Sequence, residues 1–123
     1  VVTRDPRAAA MPEDRGPDSL DAHVRRLIAG LGLFGYHPRN SKGSEPGWPD
    51  WVIIGRAGIL YRELKAESGT VSPEQRHVGE LITRAGGNWA VWRPRDLPLF
   101  GGGIGRELAA VAAEQLELFG GVS

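Results

Sequence analysis

Two acids and a lysine stand at one end of two adjoining apolar runs, and their types suit metal-assisted hydrolysis. The runs are Trp51-Val52-Ile53-Ile54-Gly55 and Ile59-Leu60-Tyr61-Arg62-Glu63-Leu64, separated by Arg56-Ala57-Gly58. They read as two strands joined by a tight turn. Strand side chains alternate faces, so Glu63 and Lys65 point the same way and Leu64 points into the opposite layer. If the runs pair as a hairpin, Asp50 lies at the same end of the ribbon as Glu63 and Lys65. A hard divalent cation takes oxygen ligands and commonly only one or two carboxylates, leaving the rest to water and phosphate. Asp50 and Glu63 could supply these, with the Leu64 backbone carbonyl as a third protein ligand. A metal held there lowers the pKa of a bound water and offsets charge on a phosphodiester. Lys65 could orient or deprotonate the attacking water, or neutralise developing negative charge. The plainer alternative is that Asp50 caps a turn and Glu63–Lys65 is an exposed ion pair, a common feature worth little.

The neighbouring sequence supplies elements to position such a site. Leu20, Val24, Leu27, Ile28 and Leu31 fall at helical spacing after Asp18-Ser19, predicting a first helix that Gly30, Gly32 and Gly35 stop. Those glycines spell G-x-G-x-x-G, but a helix precedes them and Pro38 follows, so they are not a dinucleotide fingerprint. Phe34 to Arg39 holds a short strand, and Asn40 to Trp48 a polar loop. Ser72-Pro73-Glu74-Gln75 is a helix start with Ser72 as N-cap, Pro73 at the first position and Gln75 completing a capping box. Val78, Leu81, Ile82 and Ala85 form that helix's buried stripe, ended by Gly86-Gly87. Asn88 to Trp92 is apolar on both faces, which predicts a central strand. A closing helix takes Leu108, Val111, Ala112, Leu116 and Phe119 as its core face. The order is α-β-β-β-α-β plus a C-terminal helix, an α/β fold with a mixed sheet of about four strands flanked by helices. Residues 1–17, with three prolines and no apolar period, are expected to be a flexible arm, a short docked helix being the alternative. Residues 18–123 make a single domain.

Composition removes several classes of function. With 123 residues, the chain is long enough for one real core. It has no cysteine, which excludes disulfides, thiolate metal sites and thiol catalysis. The formal charge is zero, so any nucleic-acid affinity comes from a local patch. No apolar run reaches membrane-span length, and the expected location is the cytoplasm.

Gly47-Trp48-Pro49-Asp50, the short hairpin and Glu63-Leu64-Lys65 together resemble the PD-(D/E)xK nuclease superfamily, with its restriction-endonuclease-like core. Tyr36-His37-Pro38-Arg39-Asn40-Ser41, Ser72-Pro73-Glu74-Gln75-Arg76, Ala85-Gly86-Gly87 and Trp92-Arg93-Pro94 extend the likeness to the virus-type replication-repair nuclease (VRR-Nuc) family, particularly its small phage-like stand-alone members. The likeness covers about residues 18–98. It implies an endodeoxyribonuclease dependent on Mg²⁺ or Mn²⁺, with Asp50 and Glu63 as metal-binding acids and Lys65 as the catalytic lysine. Gln75 falls on a glutamine that follows the lysine at the start of the next helix, so it is either catalytic or only a cap. The family usually places a glutamate on the first helix; this chain offers Asp18, better explained as an N-cap, and Asp21, on the inward side.

DNA contact is expected from Arg39, Ser41, Lys42 and Ser44 in the loop before Asp50, and from Arg76 at a helix N-terminus that favours anions. His23, His37 and His77 have no metal-ligand spacing. Trp48, beside Asp50, is placed to stack on a base or to pack over the site. Small family members are associated with branched DNA such as Holliday junctions, and symmetrical cleavage of a junction implies a homodimer. The alternative is a catalytically weak or inactive DNA-binding module of a phage replication, repair or packaging complex.

Overall fold

The computed structural model describes residues 5–38 and 45–113. In chain order the elements are α1 (Pro6–Ala10), α2 (Leu20–Gly30), β1 (Phe34–Tyr36), β2 (Trp51–Gly55), β3 (Gly58–Leu64), α3 (Pro73–Arg84), β4 (Asn88–Trp92) and α4 (Ile104–Ala112). The hairpin forms as its pattern predicts, pairing Trp51 with Arg62 and Gly55 with Gly58. β1 adds antiparallel to β2, and β4 adds parallel to β3 after the α3 crossover. The result is a mixed four-stranded sheet in the order β1-β2-β3-β4.

Alternation divides the sheet into two unlike faces. Trp51, Ile53, Leu60, Leu64 and Trp92 point into the main core, where Leu20, Val24 and Ile28 of α2 meet Ile104, Leu108 and Val111 of α4. α2 starts as its sequence signals: Ser19 caps it, its Oγ accepting from the Ala22 amide at 3.1 Å. The opposite face carries Ile59, Tyr61 and Glu63, and α3 covers only its β4 side. There the backbone of α3 comes down onto the Trp89 ring at Gly79, where any Cβ would collide with the indole. Phe34, Tyr36, Ile54 and Ile59 remain exposed on that face.

Two expectations change. β4 is at the edge of the sheet, not its centre. Its sequence is apolar on both sides because α3 lies over Trp89 while Trp92 enters the main core, and coverage of both faces does not require a strand neighbour on both edges. The N-terminal segment from residue 5 onward is docked. Asp5 caps α1 with Pro6 at its first position, Ala8 is buried and Met11 packs on the core. Backbone bonds from Leu20 to the Pro12 carbonyl and from Asp21 to the Glu13 carbonyl, each 2.9 Å, tie the segment to the start of α2. In the closing helix, Leu116 and Phe119 lie outside the described residues. No described helix is long and apolar enough to cross a membrane.

One charge is built into the main core. Arg62 is 2% exposed and donates to the Asn88 carbonyl at 2.6 Å, to Asn88 Oδ1 at 3.0 Å and to Glu107 Oε1 at 2.9 Å. Its guanidinium lies over the Trp92 ring, whose Nε1 donates to the same Glu107 oxygen. Truncating Glu107 removes the buried cation's anionic partner and the acceptor of the indole N–H, leaving Arg62 with neutral oxygens alone. Glu107→Ala is expected to cost about 2 kcal/mol, less than for a wholly buried pair because Glu107 is partly exposed. Urea denaturation checks this through a lowered midpoint at unchanged slope.

Candidate active site

The hairpin register sets the acids opposite each other, since pairing Trp51 with Arg62 puts Asp50 across from Glu63. Asp50 turns its Oδ2 onto the Leu64 amide at 2.7 Å. That bond pins Leu64, whose carbonyl is the expected backbone ligand, against the first acid. Glu63 is 2% exposed, and its Oε2 accepts from Gln75 Nε2 at 2.7 Å. Lys65 Nζ lies 3.7 Å from the same oxygen. Glu63 Oε1 is buried and has no hydrogen-bond partner. Gln75 joins its two expected roles in one amide. Its Oε1 accepts from the Ser72 amide at 2.9 Å to complete the capping box, and its Nε2 reaches Glu63.

The arrangement has a definite electrostatic state. Burial first, and then the neighbouring Asp50 charge, push Glu63 up to about 9; Lys65 opposes this. Ionising a buried carboxyl beside a like charge is costly, so the protonated form of Glu63 is favoured. Glu13 joins the same field. Burial pushes its carboxyl up, Lys65 pulls it down, Asp50 pushes it up, and the Ala66 amide hydrogen-bonds to it. This third acid escaped the sequence reading because residues 1–17 lack an apolar period. The Asp5-Pro6 helix start and Met11 were the signals that the segment docks.

Among the described residues no three acid or imidazole side chains form a finished metal cage. A magnesium-type ion does not need one, because one or two carboxylates with water suffice. Asp50 and the orphaned Glu63 oxygen fit that demand. A buried acceptor without a donor, on a carboxyl whose ionisation burial opposes, is what a cation would satisfy.

No family model and no curated protein matches the chain. A solved structure described as a VRR_NUC domain does, over 58% of this chain and 76% of its own, at 25% identity and a TM-score of 0.50. The fold is VRR-Nuc-like.

The other expected residues divide within this VRR-Nuc-like frame. Asp21 points inward but toward different partners. Its Oδ1 accepts from Trp51 Nε1 at 2.9 Å and lies 3.0 Å from His37 Nε2, while Arg25 reaches Oδ2 at 3.4 Å. Asp21, the first-helix acid, is thus engaged by Trp51, His37 and Arg25 while lining the same cleft as Asp50, and Glu13 is a further acid in the field of Asp50 and Glu63. Asp18 lies one residue before the Ser19 cap. His37, given no role from spacing, bridges Asp21 to the backbone carbonyl of Asp50 through its Nδ1 and stacks on Trp51 at 4.6 Å. The hydrogen bond to Asp21 holds this imidazole above the usual histidine range. Arg39, Ser41, Lys42 and Ser44 lie outside the described residues. Arg76 is exposed in the first turn of α3, beside Gln75. A cleft of about 670 Å³ opens at this end of the sheet, lined among others by Asp14, Arg25, His37, Trp48, Asp50 and Gln75.

The raised Glu63 pKa sets a pH dependence for the metal-free protein. A carboxyl raised in the folded state keeps a proton that the unfolded chain releases near its ordinary value. Its contribution to stability is full below about 4.5 and is lost as pH rises toward about 9. Thermal melts in EDTA across that window are expected to show a steeper fall for wild type than for Glu63→Gln, which has nothing to titrate. Coincident slopes would mean that no proton is held at Glu63.

Proposed function

We propose that the protein is a divalent-metal-dependent endodeoxyribonuclease that hydrolyses phosphodiester bonds at Asp50 and Glu63. The observation that carries this reading is the buried Glu63 carboxyl with one orphaned oxygen, opposite Asp50, beside Lys65 and at the end of the hairpin in a VRR-Nuc-like fold. Mg²⁺ or Mn²⁺ held by Asp50 and Glu63 would activate a water and offset charge on the scissile phosphate. The protein's own groups do the positioning. Gln75 fixes the rotation of Glu63 and, through the capping box, ties it to the first turn of α3. The Leu64 amide fixes Asp50. Lys65 is aimed at the site by sharing a face with Glu63, where its ammonium can orient the attacking water or stabilise the charge that forms on phosphate. Glu13 adds a further carboxyl to the field of Asp50 and Glu63, which strengthens the attraction for a cation. His37, held by Asp21, steadies the Asp50 backbone from the other side.

The reading extends to branched DNA as substrate and to a homodimer, since paired incisions across a junction call for two sites related by symmetry. Arg76 at the start of α3 and the basic loop residues Arg39 and Lys42 are the phosphate contacts it assigns.

The test is cleavage of linear duplex, single-stranded and four-way-junction DNA in Mg²⁺, Mn²⁺ or EDTA, with light scattering for the assembly. Wild type is expected to cut only with metal, and to favour the junction. Asp50→Asn, Glu63→Gln and Lys65→Ala are each expected to lose about 10²-fold or more in rate. Glu13→Gln and Gln75→Ala are expected to lose about 10–100-fold, mainly as weaker metal dependence. Cleavage that survives Asp50→Asn and Lys65→Ala would overturn the assignment. Tight binding without cleavage in any metal would make the protein a DNA-binding module.

A further inference from the structure

A second concavity, of about 630 Å³, lies on the open face of the sheet next to the acidic cleft. Trp48, Ile59, Tyr61, Ile82, Gly86 and Gly87 are among its walls, and among the described residues no charged side chain lines it. Trp48 borders both this groove and the acidic cleft, so the two adjoin at this residue. That indole is 39% exposed and meets the Tyr61 ring edge-on, with centroids 6.2 Å apart. Its backbone is held in place. Gly47 sits at φ 87° directly against the Glu74 carbonyl, where no side chain fits, so the loop carrying Trp48 is seated on the first turn of α3.

These features suit one kind of occupant. An uncharged slot with an aromatic wall and a glycine floor rejects phosphate and accepts a flat ring, and base–aromatic stacking tolerates any base. Trp48 is two residues from Asp50, so its backbone is within about 7.6 Å of that of the acid. A base attached to a nucleotide whose phosphate is at Asp50 is therefore within reach of the indole. A second copy of the chain would need a contact of roughly 800 Å² per partner, and a dimer lost on Trp48→Ala would distinguish it.

We propose that the Trp48–Tyr61 groove is a nucleobase subsite that takes an unpaired base from the strand lying across Asp50. The inference rests on the nuclease reading for the strand's path. It deepens that reading by naming what the site prefers: nucleic acid with unstacked bases near the scissile phosphate. Fully paired duplex cannot fill the slot without extruding a base.

Binding in EDTA tests this without cleavage. The full chain is titrated with single-stranded and junction DNA carrying 2-aminopurine at successive positions, read by anisotropy and by the probe's own fluorescence. One position is expected to change sharply in fluorescence on binding. Trp48→Ala is expected to weaken binding about tenfold and to abolish that change, and Trp48→Phe to restore most of both. Replacing the responsive nucleotide with an abasic one is expected to remove the affinity difference between wild type and Trp48→Ala. Wild-type cleavage with an unaltered Trp48→Ala affinity overturns the subsite and leaves the nuclease reading standing. A wild-type dimer that Trp48→Ala converts to monomer, with binding per site unchanged, overturns it in favour of a second copy. Failure of wild type to bind any of these nucleic acids overturns both readings.

Discussion

The register of β2 against β3 is the constraint on which the site depends. Trp51 pairs with Arg62, and that pairing sets Asp50 opposite Glu63 at the ribbon's end. A slip of β3 by one residue would turn Leu60 and Leu64 out of the core and expose the buried Arg62, so the hydrophobic layer resists it strongly. The same alternation that buries Leu60, Arg62 and Leu64 against α2 and α4 directs Tyr61, Glu63 and Lys65 to the other face. Chemistry and core are thus two sides of one strand.

The carboxyl pair conflicts electrostatically with its own fold. Glu63 is buried with one oxygen bonded to Gln75 and the other without a partner. Such a group costs stability in a purely structural role, and burial with a like charge nearby raises its pKa instead of letting it ionise. The surroundings hold the conflict in place. Gln75 belongs to a capping box, Asp50 is tied to the Leu64 amide, and the loop before Asp50 seats against α3 at Gly47. Site and scaffold share residues throughout this region, so there is no clean line between them.

Much of this was legible locally. The hairpin follows from two apolar runs with a glycine turn, α3 from Ser72-Pro73-Glu74-Gln75, and α2 from Ser19 and the stripe Leu20, Val24, Ile28. These signals are short-range: a cap, a period and a turn act within a few residues. The docked N-terminal segment and the edge position of β4 were not legible in the same way. α1 is held by contacts with residues far along the chain, such as Arg7 over Phe100. β4 reads as central because apolarity reports what covers a strand, not which strand lies beside it.

The sequence by itself determined which groups could do chemistry: Asp50, Glu63 and Lys65 by type and spacing, and Gln75 as the residue three beyond an N-cap. Only the tertiary structure decided which of them meet and in what charge state. It joined cap and carboxylate in the one Gln75 amide, brought Glu13 from outside the recognised motifs, and gave Asp21 to His37 and Trp51. The reason is physical. Hydrogen bonding within a turn depends on neighbours in the chain, whereas desolvation and charge–charge interaction depend on distances that exist only once the sheet and helices have packed.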